Sequence, residues 1–514
     1  MNIPQNTYYN QQPMMTPQPR MPIRQRMEKG VQRMQNVFPK WLSQYPIAVY
    51  ILTLALVNFM YSEFSLPWYY MLSGLVAVLA FFLFGVSATK NLAIDRIRKE
   101  KTFEKKIFIL AFVPRLIWMI LIYIIFMNTY GDPFGFENRD TLFYDDLGKA
   151  LAESIEKGNF GAAVEANLNV IDVSDIGYAI YVGFVYWLTG NSIIVVRIIK
   201  CLLGALTVLL MYRLAKRNFG EQIGRNTAIF VALWPNFWYY CAVHLKETEM
   251  VFLGVLFVEQ ADQMLRSRQF TAWKVVPVLL IAAAIFTMRT PLGVVAILAL
   301  IFSVVMSSSR VVNWGKRIIV GGLAIALIGV VAGNRLEEKA RGLIEASKSN
   351  QEQGIEWYST RKDKSGNQQS FAKYAGTAVF APMIFTLPFP SMVRPFEGQE
   401  VQQLLNGGNY TKNILSGFTI FAMVMLLISG KWREHLLPLS FMLGYLVVLA
   451  LSSFAHSERF HQPAMPFEFM FAAYGLSIAV TQKKYKRWFT YWCALMFVAA
   501  IAWNWFKIAG RGLS

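Results

Sequence analysis

Apolar runs of about 17 to 23 residues recur along this 514-residue chain, each long enough to cross a bilayer core as a helix. A segment in lipid must satisfy its backbone internally, so the expected fold class is an all-α polytopic membrane protein. Composition agrees: 55% of residues are hydrophobic and only 16% are charged, against roughly 25% charged in soluble domains. Soluble enzymes, secreted disulfide scaffolds and disordered chains are excluded. Cys201, Cys241 and Cys493 all lie inside apolar runs and offer no disulfide framework or zinc-type spacing. The net charge of +19 would suggest nucleic acid in a soluble protein. In a membrane protein it is a statement about sidedness, and no nucleic-acid partner is expected.

Residues 1–44 form a Gln-, Pro- and Met-rich tail that turns basic after Arg20, with no early apolar core or small-residue cleavage site. Thirteen spans are expected: Tyr45–Tyr61, Leu66–Ala88, Ile107–Met127, Ser192–Tyr212, Asn226–Leu245, Thr248–Leu265, Trp273–Met288, Pro291–Ser307, Ile318–Gly333, Asn413–Gly430, Leu436–Phe454, Ala464–Val480 and Trp488–Phe506. With that number, the tail and the basic clusters at Lys90–Lys106, Arg213–Arg225, Arg266/Arg268, Arg310–Arg317, Lys431/Arg433 and Lys483–Arg487 all fall on one side, as cytoplasmic positive charge requires. The N-terminus is then cytoplasmic, and two large extracytoplasmic loops remain, Asn128–Asp175 and Asn334–Lys412. Ile176–Thr189 and Gly376–Val393 are short, aromatic and Gly- or Pro-containing, and are expected as interfacial or re-entrant elements. The expected organisation is a tail (1–44), an N-terminal hairpin with its basic loop (45–106), a catalytic core (107–333), the second outer loop (334–412) and C-terminal helices (413–514).

The candidate chemistry gathers at the outer ends of the spans. Leu147, Leu151 and Ile155 at helical spacing predict an amphipathic helix from near Tyr144 to a stop at Gly158. Asp145 and Asp146 at its first turn are suited to deprotonating an acceptor hydroxyl or holding a divalent ion. The same residues also read as helix caps, with Asp145 paired to Lys149. Lys246, Glu247 and Glu249 lie between two spans, at a depth where ionisable groups are costly and usually functional. Arg289 and Arg459 offer guanidinium forks that match phosphate. His456, Glu458 and His461 complete the late turn, but the five-residue spacing of the two histidines supplies no third metal ligand.

Three stretches carry a family resemblance: the acidic pair with the helix running to Gly158; the run from Gly177 through Arg197 to Phe219-Gly220, followed by Pro235 and the acids at 247 and 249; and Ser457 to Phe467. Together, from about Phe108 to Val480, they resemble the GT-C glycosyltransferases, similar to the protein mannosyltransferase and aminoarabinose transferase type. The resemblance implies an inverting, multi-pass cell-membrane (inner-membrane) glycosyltransferase, with the active site extracytoplasmic. It would move a hexosyl or pentosyl group from a polyprenyl-phosphate donor to a lipid, glycan or protein acceptor. Asp145 would be the catalytic carboxylate, assisted by Asp146 and by Glu247 or Glu249. Arg289, Arg459 and Lys246 would neutralise the leaving phosphate, and a divalent ion, if used, would sit on Asp145 and Glu247.

Two other classes compete. A polysaccharide ligase or polymerase would depend on outer-loop arginine and histidine rather than on the acidic helix. A lipid-linked sugar flippase would need polar groups along a central cavity, whereas here they gather at one end. The sidedness is directly measurable. Single cysteines placed near Asp145, Glu247, Arg289 and Arg459 should react with an impermeant reagent on intact cells, and those near Lys99 and Lys484 should not. Reversal of either set would overturn the thirteen-span arrangement.

Overall fold

A computed structural model describes residues 39–85, 87, 100–135, 138–161, 164–165, 173–267, 272–307, 312, 315, 322, 383–395, 400–451, 457–480 and 484–509. Among them the chain is helical, without a β-strand. In order the helices are α1 (Lys40–Met60), α2 (Trp68–Leu79, continued by a π turn to Phe84), α3 (Glu100–Tyr130), α4 (Asn138–Glu156), α5 (Val173–Thr189), α6 (Ile193–Phe219), α7 (Glu221–Leu233), α8 (Pro235–Ala242) and α9 (Glu247–Arg266). They continue with α10 (Val275–Met288), α11 (Thr290–Met306), α12 (Glu400–Leu404), α13 (Asn406–Ile428), α14 (Leu436–Ala450), α15 (Glu458–His461), α16 (Met465–Ala479) and α17 (Lys484–Ala509).

Five of these, α1, α3, α6, α13 and α17, are long and apolar enough to cross a bilayer, and α2, α10, α11, α14 and α16 are shorter apolar helices. The expected span Ile318–Gly333 lies outside the described residues apart from Gly322. Large side chains such as Phe59, Trp68, Leu280 and Ile428 point outward, as lipid-facing residues do, because lipid makes no demand that apolar groups be hidden. The interior is built by α6 against α3, α7 and α9, by α13 against α16 and α2, by α11 against α14, and by α5 between α4 and α10.

Two expectations are corrected. Asn226–Leu245 is not one continuous helix. It breaks at Trp234, and Pro235 opens α8 at its first position, where a residue without an N–H costs least. Pro235 cannot donate to the carbonyl of Val231, and that carbonyl instead accepts from Nη2 of Arg115 at 3.0 Å. Arg115 also donates to Ala111 at 2.7 Å and lies over the Phe237 ring at 5.0 Å. Its buried cation is thus held by a carbonyl that the broken helix released. Second, the amphipathic helix begins at Asn138 rather than near Tyr144. Asp145 and Asp146 therefore sit inside α4, and the acid of its first turn is Asp140. The stop at Gly158 is where expected, with a left-handed φ of 72°.

Ile176–Thr189 is a regular helix packed on α4 and α10. Of Gly376–Val393, residues 376–382 lie outside the described part. Residues 383–395 form a turn and then an extended strap, which pairs Val393 with Ser65 in an isolated antiparallel bridge.

At the ends of α6 and α9 remote from the acidic helix, an ionic belt closes the bundle. Asp262, 2% exposed, accepts from Arg217 at 2.9 Å and from Arg266 at 2.8 Å, and Glu259 takes the second arm of Arg217 at 2.8 Å. Removing the shared acceptor takes one charge-assisted hydrogen bond from each of two part-buried guanidiniums, of which Arg217 keeps Glu259 and Arg266 keeps Asn218 and the carbonyl of Glu434. Asp262→Ala should therefore cost about 2 kcal/mol of stability, read as a drop in thermal midpoint in detergent. An unchanged midpoint would mean the belt is solvated.

Candidate functional site

The site is assembled at helix ends, where backbone groups lack intrahelical partners. The turn Val243–Lys246 joins α8 to α9, and Lys246 stands at the N-cap of α9 with Glu247 and Glu249 in the first turn. Acids at a helix N-terminus are favoured by the dipole. Here they are also buried: Glu247 is 0% exposed and Glu249 3%. Each therefore has a cation brought from elsewhere. Lys200 of α6 holds Glu249 at 2.8 Å and donates to the carbonyl of Leu245, which pins the turn to α6.

Glu247 accepts from Nε of Arg459, at the start of α15. The same guanidinium reaches Asp140 Oδ2 through Nη1 at 2.6 Å. Arg459 thus bridges a fully buried acid and one whose side chain is 54% exposed. Lys246 donates to the carbonyl of Met288 at 2.9 Å and pairs with Asp175 at the start of α5, with its Nζ 5.9 Å from the Tyr144 ring centroid. Next to Met288, Arg289 lies at the α10–α11 junction with its guanidinium 4.2 Å over the Phe460 ring, and Arg459 lies over the same ring at 5.8 Å. Among the described residues Arg289 has no hydrogen bond or ion pair to its guanidinium.

Asp145 sits deeper. It is 3% exposed, pairs with Lys149 at 2.6 Å and accepts from the hydroxyl of Tyr186. Tyr186 stacks on His244 at 6.2 Å and 6°. The His244 ring is fully buried, with no partner for either nitrogen among the described residues. Burial, with the cations of Lys200 and Arg197 nearby, holds His244 well below its usual pKa, so it is neutral. Asp146, about 100° further around the helix, is exposed. Arg197 is buried behind this layer and donates to the carbonyl of Pro133 at 2.5 Å. Glu458 is buried at the start of α15, His461 bonds Lys412 instead of the ion-pair cluster, and His456 lies outside the described residues.

The fold therefore brings Lys246, Glu247, Arg289 and Arg459 together. It adds Asp140, Asp175, Lys200 and Phe460, which sequence reasoning did not single out. Burial and the charges of Glu247 and Asp140 push the Tyr144 phenol up, while Arg459 and Arg289 oppose this. All four charged groups thus act on one ring. The expected metal pair does not fit a divalent ion. Asp145 already meets Lys149 and Tyr186, Glu247 already meets Arg459, and no group of three metal-ligating side chains occurs among the described residues.

Residues 176–333 match the family model described as dolichyl-phosphate-mannose-protein mannosyltransferase. That segment, under a third of the chain, is what resembles a GT-C superfamily domain, a type found in membrane glycosyltransferases. It includes Arg197, Lys200, Lys246, Glu247 and Arg289, but not α4 or Arg459. No curated protein and no solved structure matches the chain.

Burial pulls the Lys246 ammonium down to about 7, aided by Arg289 and Arg459 and opposed by Glu247. Below that value Lys246 is cationic and adds attraction for an anion at Arg289; above it the charge is lost. Affinity for an anion placed at Arg289 should therefore fall as pH rises through neutrality, and Lys246→Arg should flatten the dependence. A wild-type profile identical to that of Lys246→Met would remove Lys246 from the site.

Proposed function

We propose that this protein moves a sugar from a polyprenyl-phosphate carrier to an acceptor on the extracytoplasmic side, by an inverting displacement. The observation that carries the reading is Arg289. A guanidinium without an anionic partner among the described residues stands beside a buried Glu247–Arg459 pair, inside the matched family segment. Guanidinium geometry suits a phosphate fork. Arg289, with Arg459 across the Phe460 ring and Lys246 behind, would hold the carrier phosphate and stabilise the charge it gains on leaving.

In the reaction the acceptor O–H gives its proton to a carboxylate. The acceptor oxygen forms a bond to the anomeric carbon as the carbon–oxygen bond to phosphate breaks, and the carrier departs with that electron pair. The base would come from α4. Asp145 is the residue named by the family resemblance. Asp140 is the better placed, because its side chain is half-exposed and it shares Arg459 with Glu247. Asp145 would then act through Tyr186 and Lys149, holding α4 in place. A protein, glycan or lipid acceptor would approach from the same outer face.

The experiment is transfer from a panel of radiolabelled polyprenyl-phosphate sugars, dolichyl-phosphate mannose among them, with purified variants. Asp140→Asn should keep stability and carrier binding while lowering transfer roughly 10²-fold, the usual size of a general-base contribution. Asp145→Asn should do so only if Asp145 is the base, and Asp146→Asn should be silent. Arg289→Ala should raise the donor concentration required, with Arg289→Lys restoring it partly. If the double Asp140→Asn/Asp145→Asn variant retains near-full transfer, the carboxylates of α4 are not catalytic and the assignment of the base to α4 fails.

A further inference from the structure

The short helix that carries Arg459 is tethered at its far end as well. His461, which closes α15, is 1% exposed, and its Nδ1 lies 3.0 Å from Nζ of Lys412. Lys412 belongs to the first turns of α13 and is also 1% exposed. Its ammonium donates in addition to the carbonyl of Leu387 in the 383–395 strap. An ammonium has no lone pair to offer, so Nδ1 of His461 must accept and the ring proton must sit on Nε2.

The strap that Lys412 grips is itself fastened along its length. Asn413, next along α13, donates to the carbonyls of Thr386 and, at 3.1 Å, Pro388. Asn504 of α17 accepts from the amide of Met392 at 2.7 Å and donates to the carbonyl of Pro390 at 3.0 Å. The amide of Arg394 donates to the carbonyl of Phe64 at 2.8 Å. A lysine buried as completely as Lys412 is costly unless its ammonium is fully partnered. The packing of α13 on α16 does not require it, since close approach there is made by Gly475 against the backbone of Phe418. What the ammonium does is join the strap to α15.

We infer that Lys412 is a positioning residue of the donor site: it ties the 383–395 strap to His461 and so fixes the turn on which Arg459 meets Glu247 and Asp140. The inference rests on the reading of Arg289 and Arg459 as the carrier-phosphate site. Its consequence is that the strap, which belongs to the second outer loop, and the phosphate-binding arginine behave as one body. Loosening the clamp lowers affinity for the carrier without removing any group that touches it.

The test uses the full chain in lipid nanodiscs, dolichyl monophosphate as the probe, its Kd as the readout and the thermal midpoint as the control for folding. His461→Asn keeps a side-chain oxygen where Nδ1 accepts; His461→Leu fills similar space without an acceptor. His461→Leu and Lys412→Met should each raise Kd about tenfold at a thermal midpoint within a few degrees of wild type. His461→Asn should bind nearly as the wild type does, and Lys412→Arg should keep part of the affinity. A wild-type Kd for His461→Leu overturns the inference, and so does equal impairment of His461→Asn and His461→Leu. If Lys412→Met does not fold, the His461 pair decides alone. Arg289→Ala and Arg459→Ala separate the two levels. If both also bind the probe normally, the donor-site reading itself fails. If they bind weakly while His461→Leu binds normally, only the clamp is wrong.

Discussion

A carboxylate buried as completely as Glu247 is tolerated only with a cation at contact distance, and the chain supplies that cation from 212 residues away, in Arg459. Desolvating both ions costs several kcal/mol each, and their attraction offsets this only when further polar contacts complete the arrangement. Asp140 completes it on one side of the guanidinium and the Phe460 ring lies beneath. The pair dictates where α9 begins, where α15 lies and how α4 enters the bundle. It is poor evidence for stability. It is better understood as what fixes the geometry of a charged site in an apolar surround.

The same logic recurs with the buried lysines. Lys200 holds the turn before α9, Lys246 holds the end of α10 and Lys412 holds the strap, and each donates to a backbone carbonyl of the segment it secures. Helix breaks and ends are the places in a membrane bundle where carbonyls are left to accept. Arg115 and Val231 make the point at the Pro235 break. The site is therefore built where regular helices stop. A cation can satisfy a freed carbonyl there and still face a carboxylate or an incoming phosphate.

Much of this was legible beforehand. The apolar runs announce the class. The ionisable groups at Lys246–Glu249, together with Arg289 and Arg459, stand out as a candidate site, because such residues at that depth are costly. Lys200 carried the same signal, sitting in a run otherwise expected to cross the membrane, and could have been flagged on that ground; Lys412 did not, because it fell at the end of the second outer loop, one residue ahead of such a run. Asp140 was less accessible. It precedes the apolar periodicity of α4, so helical spacing placed the first turn nearly two turns too late and put Asp145 in the role that Asp140 holds.

The sequence alone determined that this chain is a helical membrane protein with its polar chemistry collected at helix ends, because length, apolarity and the cost of buried charge are properties of composition and local order. It could not determine which acid meets which base. Asp145 and Lys149 are four apart and pair locally, whereas Glu247, Asp140 and Arg459 meet only after α4, α9 and α15 have packed. The choice between a locally neutralised carboxylate and one shared with a distant arginine depends on contacts hundreds of residues apart, and only the tertiary structure makes it.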